Sequence, residues 1–263
     1  MKHLPDIMVA PNGARRGRDD HPRLPVTIEQ TVQDAKACYA AGAGALHAHV
    51  RDEAGQHVLD AGLYRELLEE MERQVPGMDV QITTEAVGRY TPDEQRKLVW
   101  QVAPAAVSVG LKEMLSDDDE AAARHFYNQA AERGITVQHI LYSADDLLRL
   151  RQCIERDIVP NNPDMQMIFV LGRYTKDQQS EASALLPFLK LLTAYGDQPD
   201  WAVCAFGSGE TACLRAAFEA GGKARVGFEN SLWDENGNIA QCNADRVTAI
   251  RRIRDEVKPS TPV

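Results

Sequence analysis

The chain alternates short apolar runs with longer amphipathic stretches, and this rhythm repeats from one end to the other. Runs of β type fall at 6–10 (DIMVA), 45–50 (ALHAHV), 79–83 (DVQIT), 105–110 (AAVSVG), 135–141 (ITVQHIL), 166–171 (QMIFVL), 201–206 (WAVCAF) and 224–228 (ARVGF). Each is short and almost continuously apolar, as in a parallel strand covered on its outer face. Between them the spacing predicts helices. One begins at Thr27, with Gln30 three residues on, and ends at glycines; another has Thr91 as its cap, Pro92 at its first position and Glu94 behind it. Both read as capping boxes, in which side chain and backbone satisfy each other's free groups. The stretches 60–75, 117–133, 143–156, 179–195, 209–220 and 243–257 fill the remaining gaps.

Eight strand–helix units in 263 residues predict a (β/α)₈ TIM barrel, with residues 1–263 as a single catalytic domain. The runner-up is a doubly wound open sheet, but no GxGxxG follows the first strand run, where a dinucleotide fold needs it. In a barrel the chemistry gathers at the C-terminal ends of the strands and in the loops after them. Composition changes the picture only at the margins. Lysine and arginine number 29 against 39 acidic residues, a net charge of −10, which argues against a nucleic-acid binder. No apolar run approaches the ~20 residues that span a bilayer, and the N-terminal stretch lacks a signal-like core, so a cytoplasmic location is expected. The five cysteines form no CxxC pair and read as reduced and structural.

The heptad LHAHVRD (46–52) is the most informative segment. His47 and His49 alternate with apolar residues at the end of a strand, so their side chains project from the same face. Two such imidazoles make half of a zinc site, or simply two satisfied histidines at a barrel mouth. Glu229 closes the eighth strand run, and in a barrel the eighth strand neighbours the first, which neighbours the second. A carboxylate there can reach both histidines, completing the His₂Glu set of an open catalytic zinc site. Asp52 is expected to brace His49 or Arg51.

Four motifs then combine: VAPNGAR (9–15), LHAHVRD (46–52), QITTEA (81–86) and GGKARVGFEN (221–230). In order and spacing they resemble the β-keto acid cleavage enzyme family, which includes the 3-keto-5-aminohexanoate cleavage enzymes. The resemblance implies a zinc-dependent acyltransferase, a homo-oligomer (tetramer or dimer). Such an enzyme condenses a β-keto acid with acetyl-CoA to give acetoacetate and a new acyl-CoA. Carried over, His47, His49 and Glu229 match metal ligands, Arg225 the active-site arginine, and Thr83 the hydroxyl that partners it. Asn12, Arg15, Thr84, Ser108 and Gly207 are the candidate substrate contacts.

Departures from the pattern bear on mechanism and substrate. Asn230 stands where the family has an Asp, and an amide cannot act as a general base at neutral pH. Glu85 is the replacement candidate; the alternative is a solvated loop acid. The run Ala14-Arg15-Arg16-Gly17-Arg18 lies where amino-substrate members carry an acid, which points to a neutral or anionic keto acid. The same arginines could instead bind CoA phosphates or lie on the surface. After strand five there is no acid, only His139, and Lys112 lacks any visible reason to form a Schiff base. The glycines around Gly207 suit an anion at a helix start, or merely a tight turn. Two other readings stay open: a zinc hydrolase of amidohydrolase type, and a metal-dependent binding protein without turnover.

Overall fold

Thr27 and Thr91 cap their helices as the spacing predicts. In each case the threonine hydroxyl accepts from the backbone N–H three residues on, and the Gln30 or Glu94 side chain returns to the cap. The computed structural model describes residues 1–162, 164–193, 195 and 199–257. Its strands are β1 (Ile7–Val9), β2 (Ala45–Ala48), β3 (Asp79–Thr83), β4 (Ala106–Gly110), β5 (Thr136–Leu141), β6 (Gln166–Leu171), β7 (Asp200–Ala205) and β8 (Lys223–Val226). They pair in parallel in chain order and close as a barrel through β8 and β1. The fold is the predicted (β/α)₈ TIM barrel.

The helices are α1 (Ile28–Ala41), α2 (Ala61–Gln74), α3 (Pro92–Val102), α4 (Leu111–Met114), α5 (Glu120–Glu132), α6 (Ala144–Glu155), α7 (Leu186–Leu192), α8 (Glu210–Glu219) and α9 (Asn243–Glu256). Two details differ from the sequence reading. A single turn, α4, follows β4 directly. The stretch read as one helix over 179–195 divides into a 3₁₀ turn (Ala182–Leu185) and the short α7, with Pro187 in the first turn of α7. Proline is tolerated there because its missing N–H would have had no helical partner.

Strand alternation sorts the core into two layers. Outward-facing residues such as Val9, Leu46, Ile82, Val107, Phe169 and Val203 pack against the helices in one large apolar cluster. Inside the barrel lies a smaller cluster of Met8, Ala45, Ile140, Ile168, Val170, Ala202, Cys204 and Phe206, joined by Leu4 from below. The interior is also strongly polar: His47, Gln81, Ser108, Gln138, Gln166 and Arg225 are all buried. Buried polar groups persist only when partnered or reserved for a ligand.

Candidate active site

Two glycines explain how the β1 and β8 loops come close enough to build the site. Gly227 has φ +142°, and a Cβ there would lie 2.3 Å from the Ala10 carbonyl oxygen. Gly13 has φ +63°, and its Cβ would lie 2.5 Å from Glu229 Cγ. Only glycine adopts such backbone freely and permits this approach. Asn243, opening α9, clamps the same two loops: its Oδ1 accepts from Phe228 N (2.8 Å) and its Nδ2 donates to Pro11 O (3.2 Å). Arg16 donates to the carbonyls of Phe228 (2.7 Å) and Glu229 (3.1 Å). Glu229 is therefore held from three directions before its carboxylate does anything.

That carboxylate reaches β2. Glu229 Oε2 lies 3.4 Å from Nε2 of His47 and 3.4 Å from Nε2 of His49. Among the described residues these three form a group whose possible ligand atoms all lie within 4.8 Å of one another. Hydrogen bonds fix the tautomers. Gln81 Nε2 donates to Gln138 Oε1 (3.1 Å), so Gln81 Oε1 faces His47 Nδ1 at 2.8 Å and accepts its proton. His47 Nε2 is left with a lone pair. His57 Nε2 donates to the Glu85 carbonyl (3.0 Å), and His49 Nδ1 lies 3.3 Å from His57 Nδ1. His49 Nε2 and Glu229 Oε2 are buried without a hydrogen-bond partner.

Two imidazole nitrogens and a carboxylate oxygen thus converge, an arrangement that a cation between them would satisfy. The 3.4 Å separations match the edge of a tetrahedron, roughly 3.3 Å for ligand bonds of ~2.0–2.1 Å. Two imidazoles and a carboxylate suit zinc or another imidazole-binding transition metal better than Mg²⁺ or Ca²⁺. Burial, followed by the charge of Arg225, pushes His47 down to about 3. Burial alone would raise the Glu229 carboxyl, but Arg225, His47 and His49 hold it well below the usual carboxylate range.

Around this centre a cleft of about 620 Å³ opens to solvent. Of the residues singled out from sequence, Asn12, Arg15, Thr83, Glu85 and Arg225 line it with the His₂Glu group. Arg225 donates from Nη2 to Glu229 Oε1 (3.1 Å) and to Cys204 Sγ (3.4 Å), while its Nε and Nη1 are buried without partners. Glu85 Oε2 lies 3.9 Å from His49 Nε2, and Thr83 Oγ1 accepts from Glu85 N (3.2 Å). Asn12 donates to the His49 carbonyl (3.1 Å) and leaves Oδ1 unpartnered. Ile140, Tyr142, Val170 and Phe206 form an apolar wall.

Other candidates lie outside the cleft lining. Thr84 ties β3 to β4, donating to Ser108 O at 3.2 Å, while Ser108 Oγ is buried without a partner. Asn230 is fully buried with both amide atoms unpartnered. At Gly207 the N–H donates to Asn230 O (3.3 Å), and Gln179 Oε1 takes the N–H and hydroxyl of Ser208, so that helix start is filled from within the chain. His139 faces outward against Tyr127, ring centroids 5.4 Å apart. Lys112 pairs with Asp146 at 3.0 Å. Asp52 is exposed and bonds to Gln56 N in a turn, rather than to His49 or Arg51.

Several contributors are absent from the sequence reading. Gln81 had a signal, being two residues before Thr83 on the same face of the strand beside His47. Arg51 stood in the LHAHVRD motif without this role: its Nη2 donates to the carbonyls of Asn12 (3.1 Å), Gly13 (2.6 Å) and Arg16 (2.7 Å) and so staples the first loop. Arg173, over the Phe206 ring at 5.3 Å, completes the basic rim of the cleft.

Comparison with known proteins finds relatives over nearly the whole chain. A family model described as "BKACE: beta-keto acid cleavage enzyme" matches residues 6–261. A 3-keto-5-aminohexanoate cleavage enzyme of Fusobacterium nucleatum subsp. nucleatum is 25% identical over 257 residues, covering 95% of this chain and 91% of that protein. A 3-oxoadipate:acetyl-CoA acetyltransferase of Cupriavidus necator is 22% identical over 256 residues, covering 95% and 88%. Among solved structures, the binary complex of ObcA with oxaloacetate superposes with a TM-score of 0.68 at 16% identity. The match covers 88% of this chain and spans 63% of ObcA, a likeness of fold.

Proposed function

This chain belongs to the beta-keto acid cleavage enzyme family, and we propose that it condenses a β-keto acid with acetyl-CoA to give acetoacetate and a new acyl-CoA. His47, His49 and Glu229 would hold zinc. The observation that carries this reading is the meeting of Glu229 Oε2 with Nε2 of His47 and of His49, 3.4 Å from each, beside an arginine with unpartnered donors.

When bound, zinc supplies Lewis acidity that polarises a substrate carbonyl. The protein's own groups do the rest. Arg225 offers Nε and Nη1 as separate charged donors for oxygens of the substrate. Glu85, on the cleft wall beside His49, is placed to take the α-proton on Oε2, a task closed to the non-basic amide of Asn230. Ile140, Val170 and Phe206 add apolar surface to the same cleft.

Arg15 and Arg173 line the same cleft, so the substrate's far end meets positive charge. A neutral or dicarboxylic β-keto acid fits; a cationic one meets repulsion. The test is incubation of zinc-loaded protein with acetyl-CoA and a panel of neutral, dicarboxylic and amino-bearing β-keto acids. Acetoacetate and the new acyl-CoA should appear, with the amino-bearing acids poorest. Binding without turnover across the panel would favour a binding protein instead, and preference for a cationic acid would overturn the substrate class.

A further inference from the structure

We infer that His57 is a positioning residue, which holds His49 in the tautomer that presents a bare Nε2 to the cation. The inference rests on the reading of His47, His49 and Glu229 as metal ligands.

The route begins in a hairpin after β2. Gly55, at φ +74°, lets the chain reverse. Asp52 N donates to Gln56 O (2.9 Å), Val58 N donates to Val50 O (3.1 Å), and Arg51 pairs across to His57 as an antiparallel bridge. Arg51 Nη1 closes the turn on Gly55 O (2.9 Å), and Arg89 Nη1 grips the His57 carbonyl (3.3 Å). The hairpin lays the buried His57 ring against His49, centroids 4.8 Å apart and planes at 62°.

Proton counting then decides the roles. A carbonyl oxygen can only accept, so the 3.0 Å contact to Glu85 O requires the His57 proton on Nε2. A neutral imidazole carries one N–H, so His57 Nδ1 is an acceptor. The His57 ring is buried and pairs with no carboxylate among the described residues, which favours a single proton on it. The 3.3 Å contact between the two Nδ1 atoms can therefore form only if His49 donates. A histidine that ligates a cation through one nitrogen carries its single proton on the other, so in that role the His49 proton is on Nδ1 and Nε2 is left bare. Gln81 performs the same service for His47. The two ligands are thus oriented by different chemistry, an amide oxygen for one and a second histidine for the other.

The relay also ties His49 to the backbone of Glu85, the candidate base. Removing the ring frees two groups at once, and a variant that restores only the acceptor separates them. The side-chain oxygen of His57→Asn can take the place of Nδ1 but offers Glu85 O no equivalent donor, whereas His57→Phe removes acceptor and donor together.

The experiment reads imidazole tautomers by ¹⁵N spectroscopy on metal-free protein, and zinc affinity by competition with a chelator. In the unaltered protein His49 should be protonated on Nδ1. In His57→Phe that preference should be lost and zinc affinity should fall about 10- to 100-fold, the usual cost of losing a ligand's supporting bond. His57→Asn should recover the tautomer and most of the affinity. Finding His49 protonated on Nε2 in the unaltered protein overturns the inference, as does a folded His57→Phe with unchanged tautomer and affinity. Should His57→Phe fail to fold, the unaltered protein and His57→Asn still decide. A protein that binds no zinc but shows the Nδ1 tautomer refutes the metal reading and leaves the relay standing.

Discussion

The two mouths of the barrel treat their polar atoms in opposite ways. At the N-terminal mouth the charges are matched within the chain, although Gln166 Oε1 is buried without a partner. Asp200 accepts from Leu4 N (2.7 Å) and Lys223 Nζ (2.8 Å), Lys223 also donates to Leu4 O, and Gln166 donates to the carbonyls of Met1 (3.1 Å) and Lys2 (3.3 Å). At the C-terminal mouth His49 Nε2, Glu229 Oε2, Asn12 Oδ1 and two nitrogens of Arg225 are buried with nothing to bond. An unmatched buried polar atom costs about 1–3 kcal/mol, more for charged groups, so a chain that pairs its charges at one end and leaves several atoms of charged groups unmatched at the other is keeping them for a ligand. The closed end holds the barrel together, and the open end is where chemistry can occur.

The sharpest way to break this contrast is to remove the metal. Chelation should reduce turnover by about 10³-fold or more, the scale of losing a main electrostatic stabiliser of the transition state. Zn²⁺ or Co²⁺ should restore it, and Mg²⁺ or Ca²⁺ should not, because two imidazoles are poor ligands for hard cations. Far-UV circular dichroism should be unchanged throughout. A metal-free protein that loses its fold would make the cation a structural staple, and one that keeps full turnover would remove it from the reaction.

Next in size comes the acid on the cleft wall. Glu85→Gln keeps the shape of the side chain and the Thr83 bond to the Glu85 N–H, but removes the basic oxygen beside His49. The rate should fall by about 10²–10⁴-fold, the range for losing a general base, with zinc content and thermal unfolding close to the unaltered protein. Retained turnover would return the proton-transfer role to another group. A loss of zinc instead would mean that Glu85 supports the metal.

How much of this was readable beforehand follows from the range of each determinant. The barrel was legible because period-2 and period-3.6 patterns and the caps at Thr27 and Thr91 are local. His47, His49 and Glu229 were legible because strand alternation plus barrel closure fixes which strand ends meet. Gln81 was accessible by the same rule. His57 was not: its contact with His49 depends on a hairpin whose closure is set by Arg51, Gly55 and Arg89 together. Arg16 reads as a surface or phosphate-binding cation, yet its guanidinium is bonded to the carbonyls of Phe228 and Glu229. Asp52 follows the histidines closely enough to suggest support for them, but its side chain shapes the turn that delivers the real partner. Long side chains find partners by tertiary approach, which no local window reports.

The smallest effect belongs to the closed mouth, and it tests the other half of the contrast. Asp200→Asn keeps an oxygen for one donor but removes the charge that holds Lys223 at 2.7 Å from Oδ1 and the Leu4 N–H at 2.7 Å from Oδ2. The pair is partly exposed, with side-chain accessibilities of 23% for Lys223 and 20% for Asp200, so water can replace some of what is lost. A cost of about 1–2 kcal/mol follows from a charge-assisted bond weakened to a neutral one. For a chain of this size that corresponds to a fall of roughly 2–8 °C in Tm. Both kcat and KM should stay within about twofold of the unaltered protein, because His49, Glu229 and Glu85 lie beyond the opposite ends of the strands. A change in kcat without a change in Tm would show that the two mouths are coupled through the barrel, and the division between holding and reacting would no longer stand.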